Sequence, residues 1–160
     1  MKRPASDLEA LRADLHQVYD GDPWHGSSIT VALEGIDADI ASRRSVPGAH
    51  TIWEIVRHVT TWAEIARERL RGESLGDPST ERDWPPVTAT GLDDWRVAIE
   101  QMAFAHRMLA ADVREMTDEA LDAKVKDLDY PVGILLDGVV EHGVYHAGQI
   151  VLLKKAGGQR

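Results

Sequence analysis

Between Thr51 and Lys155 the apolar residues recur in three long runs at steps of three and four, and this pattern limits the available folds more than any other. Ile52, Ile55, Val56, Val59, Trp62, Ala66 and Leu70 make the first run, from Thr51 to Arg71, with Gly72 behind it as a stop. Leu92, Trp95, Ile99, Met102, His106, Leu109, Val113 and Met116 make the second. The third extends from about Val132, just after Pro131, to about Lys155, where two lysines suit the negative end of a helix dipole. A period near 3.6 residues lines such positions along one side of an α-helix, so each run predicts an amphipathic helix with a face to bury. An earlier helix is announced by Ser6 and Glu9, spaced as a capping box; it carries Leu8, Leu11, Leu15, Val18 and Tyr19 and stops at Gly21, Asp22 and Pro23. A short helix follows the loop at Trp24 to Gly26, capped by Ser27 or Ser28, with Ile29, Leu33 and Ile36 inward. No strand-like alternation appears. The expected fold class is all-α, a four-helix bundle with a short extra helix. The stretch 73–90, ESLGDPSTERDWPPVTAT, has three prolines and no period. It reads as a long connection, of the kind that crosses a bundle from end to end.

Composition narrows the functional classes. With 160 residues, 43% of them hydrophobic, the chain suits one domain covering 1–160. A formal net charge of −9 argues against nucleic acid as a partner, because phosphate binding needs clustered lysine and arginine. Cysteine is absent, which excludes disulfides and thiolate nucleophiles, leaves any metal to nitrogen and oxygen ligands, and fits a cytoplasmic protein. The opening MKRPASDLEA lacks the apolar segment of a signal peptide, and no run of about 18 apolar residues predicts a membrane span.

The histidines point to chemistry. In EHGVYHAGQI, His142 and His146 are one helical turn apart. At 100° per residue they fall within roughly 40° of Leu135, Val139 and Leu153, so both rings face the bundle interior, and Gln149 shares that face. His58 lies roughly 60° from the line through Ile55 and Trp62 and borders the core. Two buried imidazoles side by side must find partners or lose about 1–3 kcal/mol each. A divalent ion satisfies both at once, and His58 from another helix would make a third nitrogen ligand. The alternative is a pair of packed, hydrogen-bonded core histidines, since one such spacing arises readily by chance among seven histidines. His106 sits on its own stripe without a helical partner and reads as core; His16 is off its stripe, His50 precedes a helix and His25 is in a loop. Glu54, one turn before His58, is a candidate acceptor for an imidazole N–H or a general base, with a surface ion pair as its rival reading. Gln149 either orients a ligand, binds substrate, or packs as a core glutamine. Trp24, His25, Trp53 and Trp62 are candidate walls of an apolar pocket, and Gly138, Gly143 and Gly148 suggest close packing or room beside the site.

The strings HTIWEIVRHVTTWAEIARERLRGE and GVVEHGVYHAGQIVLLKKA, together with DPWHGSSITVAL, resemble the DinB family of small helical metalloproteins. The resemblance implies a four-helix bundle with a long crossover, a homodimer, and a divalent ion, usually nickel or zinc, held by His58, His142 and His146. It also implies kinship with thiol-dependent transferases and isomerases and with hydrolases. Three neutral imidazoles leave such an ion its full charge, enough to bring water or a thiol near neutrality in pKa. The expected function is therefore activation of water or a low-molecular-weight thiol against a small electrophilic substrate. The alternatives are a non-catalytic stress-response protein with a structural or sensory ion, and a metal-free helical module.

Overall fold

Caps set the helix starts in the computed structural model, which describes residues 7–73 and 76–158. Asp7 accepts a hydrogen bond from the Ala10 N–H at 2.7 Å and opens α1 (Leu8–Tyr19). Ser6, expected to start the box, lies outside the described residues. α2 (Ile29–Leu33) follows Ser28, and α3 (Ala38–Ser42) follows Asp37, which caps the Ile40 N–H at 2.9 Å. Thr51 and Glu54 form a reciprocal capping box at the head of α4 (Ile52–Leu70). At its far end Gly72 takes φ +77°, a left-handed conformation natural to glycine, and its N–H reaches the Arg69 carbonyl. α5 (Thr80–Asp83) is a single turn, α6 runs over Leu92–Arg114, a 3-10 turn covers Asp118–Asp122, and α7 is Val132–Ala156. No strand occurs among the described residues beyond an isolated bridge between Lys124 and Pro131. None of the described helices is long and apolar enough to cross a membrane.

Two groups of core residues give the helix directions. One joins Ile29 and Leu33 of α2, Ile52 to Val59 of α4, Trp95 to Met102 of α6 and Ala147 to Leu153 of α7. The other joins Leu8 to Leu15 of α1, Ala63 and Ala66 of α4, Ala105 to Val113 of α6 and Val132 to Val139 of α7. α4 and α6 thus run parallel, and α1 and α7 run against them. Parallel neighbours force the chain after Leu70 to travel back the length of α4, about 28 Å at 1.5 Å per residue, before α6 begins. The long connection is therefore a crossover, and several contacts dock it on α4. Trp62 Nε1 donates to Asp83 Oδ1 at 2.7 Å, Arg69 Nη2 donates to the Gly76 carbonyl at 2.8 Å, and Arg82 pairs with Glu68.

α4 is buried on nearly every side, between α6 and α7, which is why residues off its predicted stripe such as Thr61 and Ile65 are buried too. The three glycines of α7 divide by role. A Cβ at Gly143 would lie 2.9 Å from Val18 Cγ2, so this glycine permits the close approach of α1, whereas Gly138 and Gly148 face no atom within 4 Å.

Candidate metal centre

His58 is carried by the middle of α4, and His142 and His146 by the middle of α7, where the two core groups meet. His58 Nε2 is 2.9 Å from His142 Nε2, which is 3.0 Å from His146 Nε2. One nitrogen from each ring lies within 4.8 Å of the others, and no further histidine or carboxylate joins the cluster among the described residues. Rings on two antiparallel helices therefore converge, as helical phase and burial require.

Two of the far nitrogens are held. His58 Nδ1 is 2.7 Å from the Asp83 carbonyl, an acceptor, so this nitrogen carries the proton; the Asp83 carboxylate stands 3.3 Å away. His146 Nδ1 donates to Gln149 Oε1 at 2.7 Å, and Gln149 Nε2 donates to the Tyr145 hydroxyl at 2.9 Å. Neutral rings so arranged present bare lone pairs at the Nε2 atoms of His58 and His146. His142 Nε2 holds at most one proton, so at most one of its two short contacts is a full hydrogen bond and the other is a close nitrogen–nitrogen approach without one. A shared cation relieves that conflict. The spacing of His142 Nε2 from its two neighbours also fits: with metal–nitrogen bonds of about 2.0–2.1 Å, nitrogens on adjacent positions around one ion sit about 3 Å apart.

Electrostatics favour the ligand form. Burial pushes the His142 pKa down to about 3, helped by the neighbouring His146 and His58, and burial likewise takes His146 to about 4. His58 is also lowered by burial, against the opposing pull of Asp83. All three rings are neutral at pH 7, as metal ligation by imidazole requires.

The crossover completes the site. Trp84 stacks between His50 and His58, at ring separations of 3.5 and 3.8 Å and nearly parallel planes. Its only sequence signal is an aromatic residue in a proline-rich stretch without a period. A cavity of about 440 Å³ opens beside the cluster, lined in part by His58, His142, Trp62, Asp83, Tyr130 and Gly138.

Several expected roles are corrected. Glu54 does not meet His58: its carboxylate accepts from the Thr51 N–H at 2.7 Å and from Arg44 at 2.9 Å, and sits 3.3 Å from His50. As the third residue of α4 it serves the helix end, and the His58 ring turns instead to Asp83, which only the crossover brings near. Trp24 and His25 lie elsewhere, on a cavity of about 470 Å³ beside α1 whose lining includes none of the three histidines. Trp53 is buried in the core, 5.0 Å from Trp95; of the four proposed wall residues, Trp62 alone borders the cluster. His106 stacks on Tyr19 at 4.4 Å and is not among the three converging rings, and its Nε2 is buried without a hydrogen bond.

A sequence model described as the DinB superfamily matches residues 24–150, a span that contains all three histidines. No curated protein matches the chain. Among solved structures, the colibactin self-resistance protein ClbS, crystallised in complex with a dsDNA, is similar with a TM-score of 0.69 and 14% identity, over 96% of this chain and 98% of that one. Identity so low speaks to the fold alone. It nonetheless overturns the exclusion of nucleic acid on charge: a protein of this fold is found with double-stranded DNA. The exclusion failed because net charge sums the whole surface, whereas phosphate contacts depend on local clusters of cations.

Proposed function

Because this chain belongs to the DinB superfamily, we propose that it is a divalent-metal-dependent enzyme that turns water or a low-molecular-weight thiol against a small electrophile, by hydrolysis or by thiol transfer. The observation that carries this reading is the convergence of three Nε2 atoms, two of them on rings whose opposite nitrogens are already committed to Asp83 and Gln149. Zinc and nickel both accept three imidazoles. When bound, the ion supplies Lewis acidity, under which water or a thiol loses its proton near neutral pH.

The protein's own residues supply position. Asp83 and Gln149 fix two of the rings, the Trp84 face covers His58, and Gly138 leaves space where a side chain would intrude on the cavity. With no cysteine in the chain, a thiol nucleophile must arrive from solution. Three side-chain ligands beside a cavity support catalysis over a purely structural ion, because structural zinc sites are ordinarily closed by four protein ligands.

Elemental analysis of untagged protein is the first test; less than about a tenth of an equivalent of metal would remove the basis of the proposal. A screen of electrophiles with water and several cellular thiols, with His146→Ala as control, then decides between turnover and simple retention of the ion. Whether the DNA partner of ClbS is shared is a separate question, answered by a mobility-shift titration at several salt concentrations.

A further inference from the structure

Arg69 stands on the same side of α4 as His58 and Trp62 and lines the cavity that adjoins the cluster. It is only 5% exposed. Nη1 donates to the Tyr130 hydroxyl at 3.1 Å and Nη2 to the Gly76 carbonyl at 2.8 Å, both neutral acceptors, while Nε is buried with no partner. Among the described residues no carboxylate lies within ion-pair distance of it, although Arg67, Arg71 and Arg82 around it each have one. Of the acids bordering the cavity, Asp83 is committed to Trp62 and His58, and Asp77 is exposed.

A buried cation without a counter-charge is costly, and an arriving anion would supply the charge that Arg69 lacks. The guanidinium carbon lies 5.6 Å from the centre of the Trp62 ring, and the His142 ring lies 5.7 Å from Trp62. Trp62 therefore forms a floor between a positive end and an imidazole end. A cavity of about 440 Å³ is of the size that encloses a small organic molecule.

We infer that Arg69 is the anion-binding residue of this cavity, and that the substrate is a small organic acid whose carboxylate it holds while the electrophilic carbon faces the histidine cluster. This names a substrate class for the function proposed above and rests on that reading, but the anion subsite can be measured without turnover. A planar guanidinium suits a carboxylate better than a lysine would, since it offers two parallel N–H donors.

The probe is benzoate against its uncharged counterpart benzamide, titrated into the protein as purified and after chelation, and followed through the Arg69 Nε–H resonance and tryptophan fluorescence. Benzoate should bind saturably in both preparations, shift that resonance, and outcompete benzamide. Arg69→Met should weaken benzoate by at least about 30-fold, as loss of a buried charged partner does, and Arg69→Lys should retain part of the affinity. Equal binding of benzoate and benzamide overturns the inference. So does benzoate binding that survives Arg69→Met but disappears with His146→Ala, which would place the anion on the metal. Should Arg69→Met fail to fold, the benzoate–benzamide difference and the resonance shift in the unaltered protein decide. Anion binding that persists in a protein that takes up no metal would keep the Arg69 subsite and discard the metal reading.

Discussion

The chain buries histidine in two places, and the contrast separates burial from function. At the α4–α7 centre His146 is brought to a pKa of about 4, and on α6 His106 is brought to about 4 as well, in both cases chiefly by burial. The two rings differ in what surrounds them. His146 has one nitrogen held by Gln149 and the other aimed at a second imidazole, which in turn meets a third. His106 has Tyr19 against its face and an unpartnered Nε2. A depressed pKa thus reports a dry environment in both regions, and only convergence of lone pairs marks a place for a cation.

The comparison is most easily broken at the ligands. His146→Ala should lower zinc or nickel affinity by more than the roughly 10–100-fold lost when an outer hydrogen bond is removed, while His106→Leu should leave it unchanged. Equilibrium dialysis of both variants measures this, and equal losses would erase the distinction between the two regions. Chelation comes next. At a free ion concentration about a thousand times Kd, binding contributes about 4 kcal/mol, so removing the ion should lower Tm by about 8–16 °C in a chain of this size. The His146→Ala protein should melt at the same temperature with or without chelator.

A smaller effect sharpens the contrast between two residues that each lie about one helical turn from a histidine of the cluster. Gln149→Leu should cost about 10–100-fold in metal affinity by freeing the His146 ring. Glu54→Gln should leave affinity intact and cost only about 0.3–1 kcal/mol through the lost charge at the helix head, since glutamine can keep the capping hydrogen bond, a difference that dialysis and thermal melts of the same samples resolve. The last effect concerns acid. His106 resists protonation in the folded protein down to about pH 4, whereas the unfolded chain takes up that proton near the ordinary 6.5. The unfolded state therefore binds more protons across this window, and stability falls as pH drops from about 6.5 to about 4. His106→Leu should show a shallower fall of Tm over that range than the unaltered protein, both measured without metal; identical slopes would mean that the ring is hydrated or partnered in solution.

Much of this arrangement was readable from residue order. The long helices followed from apolar periodicity, and the inward phase of His142 and His146 follows from the same 100° arithmetic, because helix geometry is local. α3 and α5, at five and four residues, are too short to display a period, and α2, equally short, is legible only through its serine cap and the apolar positions at Ile29, Leu33 and Ile36. Trp84 and Asp83 escaped as site residues because their place depends on where a period-free connection lands. Glu54 looked apt because it precedes His58 by one turn, but proximity along a helix says nothing about a carboxylate already engaged by Thr51 and Arg44 at the helix end.

What the amino-acid order determined by itself was an all-helical chain, the face each long helix must bury, and the presence of paired imidazoles on one such face, because each depends on interactions within about one turn. What the tertiary structure alone decided was the parallel course of α4 and α6, and with it the crossover that lays Asp83 and Trp84 against His58 and frames a cavity between the histidines and Arg69. Those features depend on contacts between residues distant in the chain, set by how several helices pack at once, and no periodicity within one segment encodes them.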